Sequence, residues 1–301
     1  MTDDVARKVL ARHGKSFYWA SFFLGDECTD NAAQLYQFCR FVDDLADGDA
    51  ADKESRLKLV QDCLKGAENA CEIEVMGFMQ LALANDIPMA AASELVGGML
   101  ADQMPARFTD TRELLRYCHA VAGTVGLMMC RILNCRQARA ESFAIDLGVA
   151  MQLTNIARDV LEDANMGRRY IPSEWLDLSD TQLSPENWSD ASPEMRVEIA
   201  SATRKLLELA ETYYTSAMIG IHLLPFKARL SIAIALRVYR HIGYQLQARN
   251  YAWWRGRVMV SILHKVGLSV LGAAALLPRR VPPHCTKLHH PLRGLAGVDS
   301  D

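Results

Sequence analysis

Met151–Pro172 reads MQLTNIARDVLEDANMGRRYIP. At about 100° per residue, Gln152, Asn155, Asp159 and Asp163 fall on one narrow stripe of a helix. A core-facing stripe should be apolar, and a solvated face seldom repeats two amides followed by two carboxylates. A second stretch, Leu35–Asp47, reads LYQFCRFVDDLAD and places Tyr36, Arg40, Asp43 and Asp47 on one face at the same spacing. Two helices therefore each carry an Asp-x-x-x-Asp pair. Facing each other in a bundle, they would surround a space suited to a hard cation. Magnesium prefers oxygen ligands and is commonly completed by substrate phosphates. The pattern thus points to diphosphate held through Mg²⁺, with Mn²⁺ as a substitute.

Working outward, the rest of the chain reads as helix. Asp3 to His13 is amphipathic and runs into HGKSFYWASFFL, a polar cluster followed by aromatics. Thr111 to Leu133 is strongly apolar but holds Gly123 and Gly126, each costing roughly 1 kcal/mol in a helix interior. A long apolar ligand and a tight helix crossing explain these glycines equally. Asp102 reads equally as a solvent-facing charge or as part of a site. Glu141 to Asp163 is read as leading into the second Asp-pair helix, which ends near Gly167, and Arg168 and Arg169 follow directly after the carboxylates. Asp177 to Pro193 is read as a loop. Ser261 to Leu277 is apolar but interrupted by His264 and Lys265, too short for a span of about 20 residues. A core helix is preferred to one lying in a bilayer interface. No sustained two-residue alternation and no linker occur. The expectation is an all-α, single-domain protein over residues 1–278, with an unstructured tail over 279–301.

Composition narrows the classes. The chain has 301 residues and a formal net charge of −3, with no basic block interleaved with aromatics, so nucleic acid is not an expected partner. Eight cysteines lie without a C-x-x-C pair; Cys39, Cys118 and Cys130 sit in apolar helices as expected buried thiols, which fits a reducing cytoplasm. The N-terminal residues lack a secretory apolar core. G-x-G, H-E-x-x-H, G-x-S-x-G and Glu-x-x-His are all missing. What remains is oxygen chemistry.

The segments HGKSFYWAS, LYQFCRFVDDLAD, YCHAVAGTVGLMM, LGVAMQLTNIARDVLEDANMGRRYIPSEWL and ALRVYRHIG carry a further reading. In these segments and their order, the chain resembles the squalene/phytoene synthase family, the head-to-head prenyl synthases. Within it, YCHAVAGTVGLMM and LTNIARD are most similar to bacterial phytoene synthases. The resemblance implies the isoprenoid synthase fold, a helical bundle around a central cavity. It implies that Asp43, Asp47, Asp159 and Asp163 bind Mg²⁺ and diphosphate, with Asn155 among the ligands and Gln152 beside it. His13, Lys15, Ser16, Tyr36, Arg40 and Tyr239 match positions that touch the substrate diphosphates. Arg158 matches also, although it lies off the Asp stripe. Around Gly256 the family's adjacent basic residues are interrupted, leaving Arg255 and Arg257, of which Arg257 is chosen. Tyr117, Val121, Gly126 and Leu127 would line the prenyl channel, and Phe17, Phe22 and Leu127 are candidates for closing it.

The implied reaction joins two geranylgeranyl diphosphates through prephytoene diphosphate to 15-cis-phytoene, without NADPH. Squalene or hydroxysqualene formation from farnesyl diphosphate stays open. So does a non-catalytic assembly role, which retention of all four aspartates and Arg40 argues against. Peripheral association with a membrane face would serve release of an apolar product. The residues give no oligomeric state.

Overall fold

The computed structural model describes residues 2–299 apart from 49, 68–70, 105 and 136. Helices track the apolar periodicity. They are α1 Thr2–His13, α2 Lys15–Ser21, α3 Asp26–Asp47, α4 Lys53–Leu64, α5 Ile73–Asn85, α6 Met89–Ala101, α7 Thr111–Cys118, α8 Thr124–Ile132, α9 Ala138–Arg158, α10 Val160–Asn165, α11 Asp180–Leu183, α12 Pro193–Gly220, α13 Phe226–Ala248 and α14 Ile262–Gly272. Among the described residues no β-strand forms, and Arg107 and Arg169 share an isolated bridge. The ends are set by local chemistry. Asp110 accepts from the Glu113 amide at 2.8 Å, while the Glu113 carboxylate accepts from the Thr109 amide at 2.7 Å, so α7 starts on a reciprocal cap. Ser192 caps α12, with Pro193 at its first position, where a missing N–H costs nothing.

The bundle is built around α9, which is packed by α8, α12 and α13 and buries residues on every side. Its approach to α8 is set by two glycines. A Cβ on Gly126 would lie 2.2 Å from the Ala144 carbonyl oxygen, and one on Gly148 would lie 2.2 Å from that of Ala122. The helix-interior glycines thus serve a tight crossing, and Gly126 also faces the central cavity.

Four sequence expectations need correction. The helix read from Thr111 to Leu133 contains a π turn at His119–Gly123. Its extra residue rotates the downstream turns by about 100° relative to a continuous helix. Leu127, expected in the channel, faces away from it and packs against Gly297 at 2 % exposure. Phe22, a candidate for closing the channel, is 65 % exposed. In α14, read as a core helix, only Gly272 is buried, while Leu263 and Val270 are 85 % and 72 % exposed. Finally, the segment from Pro278, read as an unstructured tail, packs on the bundle. Thr286–Leu292 forms a 3₁₀ helix, Leu292 is fully buried, and Leu288, Leu295, Ala296 and Val298 lean on the core. Arg116 donates to the carbonyls of Pro291 and Arg293, and Tyr213 donates to that of Leu288 at 2.9 Å. Residues 300 and 301 lie outside the described ones.

Two smaller differences concern the loop and the cysteines. Asp177 to Pro193 holds α11 and a buried Trp188, whose indole N–H donates to the Gln182 carbonyl at 2.9 Å. Cys118 and Cys130 are buried free thiols and Cys39 is a half-buried one, but Cys63 and Cys71 form a disulfide.

Candidate active site

A cavity of about 780 Å³ runs through the bundle, towards the upper end of the roughly 300–1,000 Å³ usual for ligand sites. Its mouth is polar. From α3 come Tyr36, Arg40, Asp43 and Asp47; from α9 come Gln152, Asn155 and Arg158; Asp159 and Asp163 lie just beyond. The helix read through Asp163 is interrupted at Asp159, whose φ of −107° and ψ of 17° separate α9 from α10. The amide of Asp159 still donates to the Asn155 carbonyl at 2.9 Å, and that of Asp163 to the Asp159 carbonyl at 2.8 Å. The ladder therefore survives the kink, and the carboxylates stay on the cavity side.

His13, Lys15, Ser16 and Phe17 reach the cavity from the end of α1 and the start of α2. Tyr239 enters from α13, its ring 5.2 Å from that of Phe17, and Phe17 lies 6.3 Å from Tyr36. Tyr117, Val121 and Gly126 line the wall. Every site residue expected from the sequence is thus brought to this cavity except Leu127 and Phe22.

The charges are arranged in pairs. Arg40 donates to Asp43 at 2.9 Å and also pairs with Asp44, which lies outside the cavity lining. Arg168 donates to Asp47 at 2.8 Å. Asp159 accepts two bonds from Arg158, at 2.8 and 2.6 Å, and one from Arg257 at 2.8 Å. Arg257 comes after Gly256, whose φ of +75° turns the chain there, and Arg255 is not in the lining. Burial and the nearby Asp47 raise Asp43 to about 6. Burial and Asp159 raise Asp163 to about 8. Like charges crowded out of water favour the proton.

Several lining residues carry no clear signal in the sequence. Arg168 stands beside the carboxylates in GRRYIP, but nothing there distinguishes it from Arg169. The structure does: Arg169 is buried and donates to the carbonyls of Phe108 and Ile171, a structural role. Asp102 resolves into a cavity residue, accepting from Tyr117 at 2.7 Å and from Tyr170 at 3.2 Å. The two rings stack with centroids 4.8 Å apart. Burial raises the Asp102 carboxyl above its ordinary value even though both tyrosines donate to it. Glu162 and Lys265 also face the cavity. Away from the mouth the lining becomes apolar, with Leu24, Leu35, Met129, Leu133, Phe143 and Leu224.

The fit of a divalent cation can be judged from these groups. The Asn155 side-chain oxygen and one Glu162 oxygen are buried without a hydrogen-bond partner, and an orphaned acceptor is costly. Around them stand carboxylates whose proton affinity is raised by one another. An oxygen-rich, over-negative pocket with unused acceptors suits a hard cation. The residues fit the group.

Residues 10–264 match the family described as squalene/phytoene synthase. The chain belongs to this family. Among its relatives, a phytoene synthase of Pseudescherichia vulneris is 35 % identical over 278 residues, covering 88 % of this chain and 89 % of that protein. A 15-cis-phytoene synthase of Pantoea ananas is 33 % identical over 298 residues, covering 95 % of each. The crystal structure of a dehydrosqualene synthase in complex with ligand superposes with a TM-score of 0.79 at 26 % identity, covering 91 % of this chain and 96 % of that one. The squalene synthase HpnC from Alicyclobacillus acidocaldarius shares the fold, with a TM-score of 0.70 at 19 % identity over 83 % of this chain and 94 % of that one. The fold is that of the isoprenoid synthases.

Proposed function

We propose that the protein is a prenyltransferase that condenses two geranylgeranyl diphosphates head to head into 15-cis-phytoene, releasing two diphosphates. The observation that carries this reading is the joining of two facing Asp-x-x-x-Asp stripes, ringed by arginines, to a long apolar cavity. The similarity to phytoene synthases over nearly the whole chain supports the choice of substrate.

Asp43, Asp47, Asn155, Asp159 and Asp163 would hold magnesium, or manganese in its place, which when bound neutralises charge on the departing diphosphate. The protein's own contribution starts from its arginines. Arg40, Arg158, Arg168 and Arg257 are bound to carboxylates at the mouth. Guanidinium forks bind phosphate oxygens as well as they bind carboxylates. Entry of a diphosphate offers these four a second anionic partner at the same mouth. With Lys15, His13, Ser16 and Gln152 they hold the leaving group, so that ionisation at the allylic carbon meets preorganised positive charge. Tyr36 and Tyr239 flank the emerging cation beside Phe17, presenting ring faces and hydroxyls. Carbon 1 of the first substrate then adds to the double bond of the second, and loss of a proton from the resulting cation closes the cyclopropane ring of prephytoene diphosphate. Loss of its diphosphate, rearrangement and release of a second proton complete phytoene. The apolar wall, including Tyr117, Val121 and Gly126, excludes water that would otherwise capture the cation as an alcohol.

Among the described residues no helix is long and apolar enough to cross a membrane. The exposed apolar side of α14 adjoins the mouth, where Met259, Val260 and Lys265 reach the cavity. Through this side the protein associates with a membrane face from the cytoplasm, giving substrate and product tails a path between bilayer and cavity.

A product assay tests the reading. Purified protein with Mg²⁺ is offered geranylgeranyl or farnesyl diphosphate, each with and without NADPH. Phytoene from the C20 substrate, indifferent to NADPH, is the expected result. Squalene or hydroxysqualene from the C15 substrate would overturn the substrate, and no product from folded protein would favour a non-catalytic assembly role.

A further inference from the structure

A second cluster of metal-binding chemistry lies behind the cavity wall, separate from the Asp-lined mouth. Asp146 projects from α9 and is 0 % exposed. The Nε2 atoms of His284 and His289, both from the C-terminal segment, lie 2.7 and 2.9 Å from its two oxygens. Ser216, on α12, donates to the same carboxylate at 2.5 Å. The two imidazole rings lie 4.4 Å apart, and the three ligand atoms fall within 4.8 Å of one another. Asp146 is separated from Asp159 by about 20 Å of helix, at about 1.5 Å per residue. Its neighbours Phe143 and Leu147 line the cavity, and the His284 ring stands edge-on to Phe143.

We propose that Asp146, His284 and His289 form a structural site for a borderline divalent ion of the Zn²⁺ class, which fastens the C-terminal segment to the wall of the cavity.

The donor set decides the class of ion. Two imidazole nitrogens and one carboxylate oxygen are typical zinc ligands and poor ones for magnesium. Ser216 or a water would supply a fourth position. Ligand bonds of about 2.0–2.2 Å in a tetrahedron put donor atoms about 3.3 Å apart. The two nitrogen–oxygen separations need to widen by about half an ångström to reach that value. Charge favours the same answer. Among the described residues, the ion-pair partners of Asp146 are these two histidines. With both imidazoles neutral, a fully buried carboxylate keeps an uncompensated charge, which is costly. A divalent ion removes that cost and leaves both rings neutral, as ligation requires. The fastened segment also reaches the π turn: His119 bonds to the Ala296 carbonyl at 3.0 Å, and Glu94 accepts from the Ala296 amide at 2.8 Å. The site therefore braces the two helices that cross at Gly126 and Gly148, whatever substrate the cavity takes.

The test uses the full chain, stripped with a chelator and titrated with Co²⁺ alone. One equivalent should produce the intense visible absorption of four-coordinate cobalt, displaced by Zn²⁺ but not by Mg²⁺. Zn²⁺ should raise the unfolding temperature by several degrees in the stripped protein. The cobalt band should persist in Asp43→Asn, which alters the mouth, and vanish in His289→Ala and in His284→Gln. Should His289→Ala fail to fold, the more peripheral His284→Gln and the wild-type titration still decide. Absence of the band in wild-type protein, or its survival in the histidine variants, would overturn the proposal and leave a hydrogen-bonded latch. None of these readouts depends on turnover, so failure of the phytoene reading would not affect them.

Discussion

Replacing Gly126 by Ala tests how the cavity wall and the carboxylates are linked. The new Cβ would sit 2.2 Å from the Ala144 carbonyl oxygen and 2.8 Å from its carbon, both of them backbone atoms that cannot rotate aside. Reaching even 3.0 Å, below which real Cβ contacts essentially never fall, requires α8 and α9 to separate by 0.8 Å (3.0 minus 2.2). Overpacking of this kind costs about 1–3 kcal/mol, offset by a gain of about 1 kcal/mol in helix propensity. The net loss is up to about 2 kcal/mol, which lowers the melting temperature by several degrees in a chain of this size. The larger effect falls on turnover. Downstream on α9 lie Gln152 and Asn155, with Asp159 just past its end, and a shift of about 1 Å in a catalytic group costs about 10²-fold. Activity should fall about 10- to 100-fold while helical circular dichroism is kept. Gly77→Ala is the control: no atom lies within 4 Å of its Cβ position on the exposed side of α5, so it should gain up to about 1 kcal/mol. Wild-type melting and turnover in Gly126→Ala would refute the reasoning, as would equal damage from Gly77→Ala.

Asp43→Asn and Asp159→Asn should each lower turnover by about 10²–10³-fold or more, the scale of a lost electrostatic contact to a leaving group, with circular dichroism unchanged; wild-type rates from an intact Asp43→Asn protein would remove the metal assignment. In the metal-free protein Asp43 and Asp163 are raised from 3.8 to about 6 and about 8. The folded state then binds more protons than the unfolded one between about pH 4 and pH 8, so their contribution is present below about pH 4 and lost as pH rises through the folded values. Chelator-treated protein should therefore melt lower at about pH 8 than at about pH 6. Mg²⁺ should reverse the loss and Asp163→Asn should flatten the slope; a slope identical in wild type and Asp163→Asn would contradict this. Introducing charge with Leu263→Asp and Val270→Asp together should reduce co-sedimentation with phospholipid vesicles without lowering turnover of detergent-dispersed substrate, and unchanged sedimentation would remove α14 as the membrane contact.

The mouth is legible in the sequence because its chemistry repeats at helical spacing. Asp43 and Asp47, like Asp159 and Asp163, are four residues apart, and an i, i+4 pair stays on one face even across the kink at Asp159, since the i→i−4 bonds persist there. The wall is less legible. The resemblance assigns Leu127 to the channel, but the residue packs on Gly297 instead, in a helix interrupted by a π turn at His119–Gly123. No residue in HAVAG announces such a turn, and the contacts that accompany it are tertiary: His119 is held by Glu94 and by the Ala296 carbonyl. Arg168 and Arg169 illustrate the same boundary. Adjacent and chemically identical, they divide into one cavity residue and one buried structural residue through contacts that lie far away in the chain.

The C-terminal segment departs from its sequence reading for a reason that bears on the mechanism. Its proline and histidine content suggests a loose tail, yet its anchors are Asp146, Glu94, Arg116 and Tyr213, distributed over four helices and legible only once those helices are assembled. The segment meets the cavity wall rather than the mouth. Leu127 packs on Gly297, His119 bonds to Ala296 within the π turn, and Phe143 meets His284. Where α8 and α9 cross at Gly126 and Gly148, the wall has little side-chain bulk of its own with which to resist the thrust of a long prenyl chain. The segment supplies that bulk from behind. Labour is thereby divided: α3, α9 and α10 hold charge at the mouth, while the last residues of the chain keep the apolar end in shape.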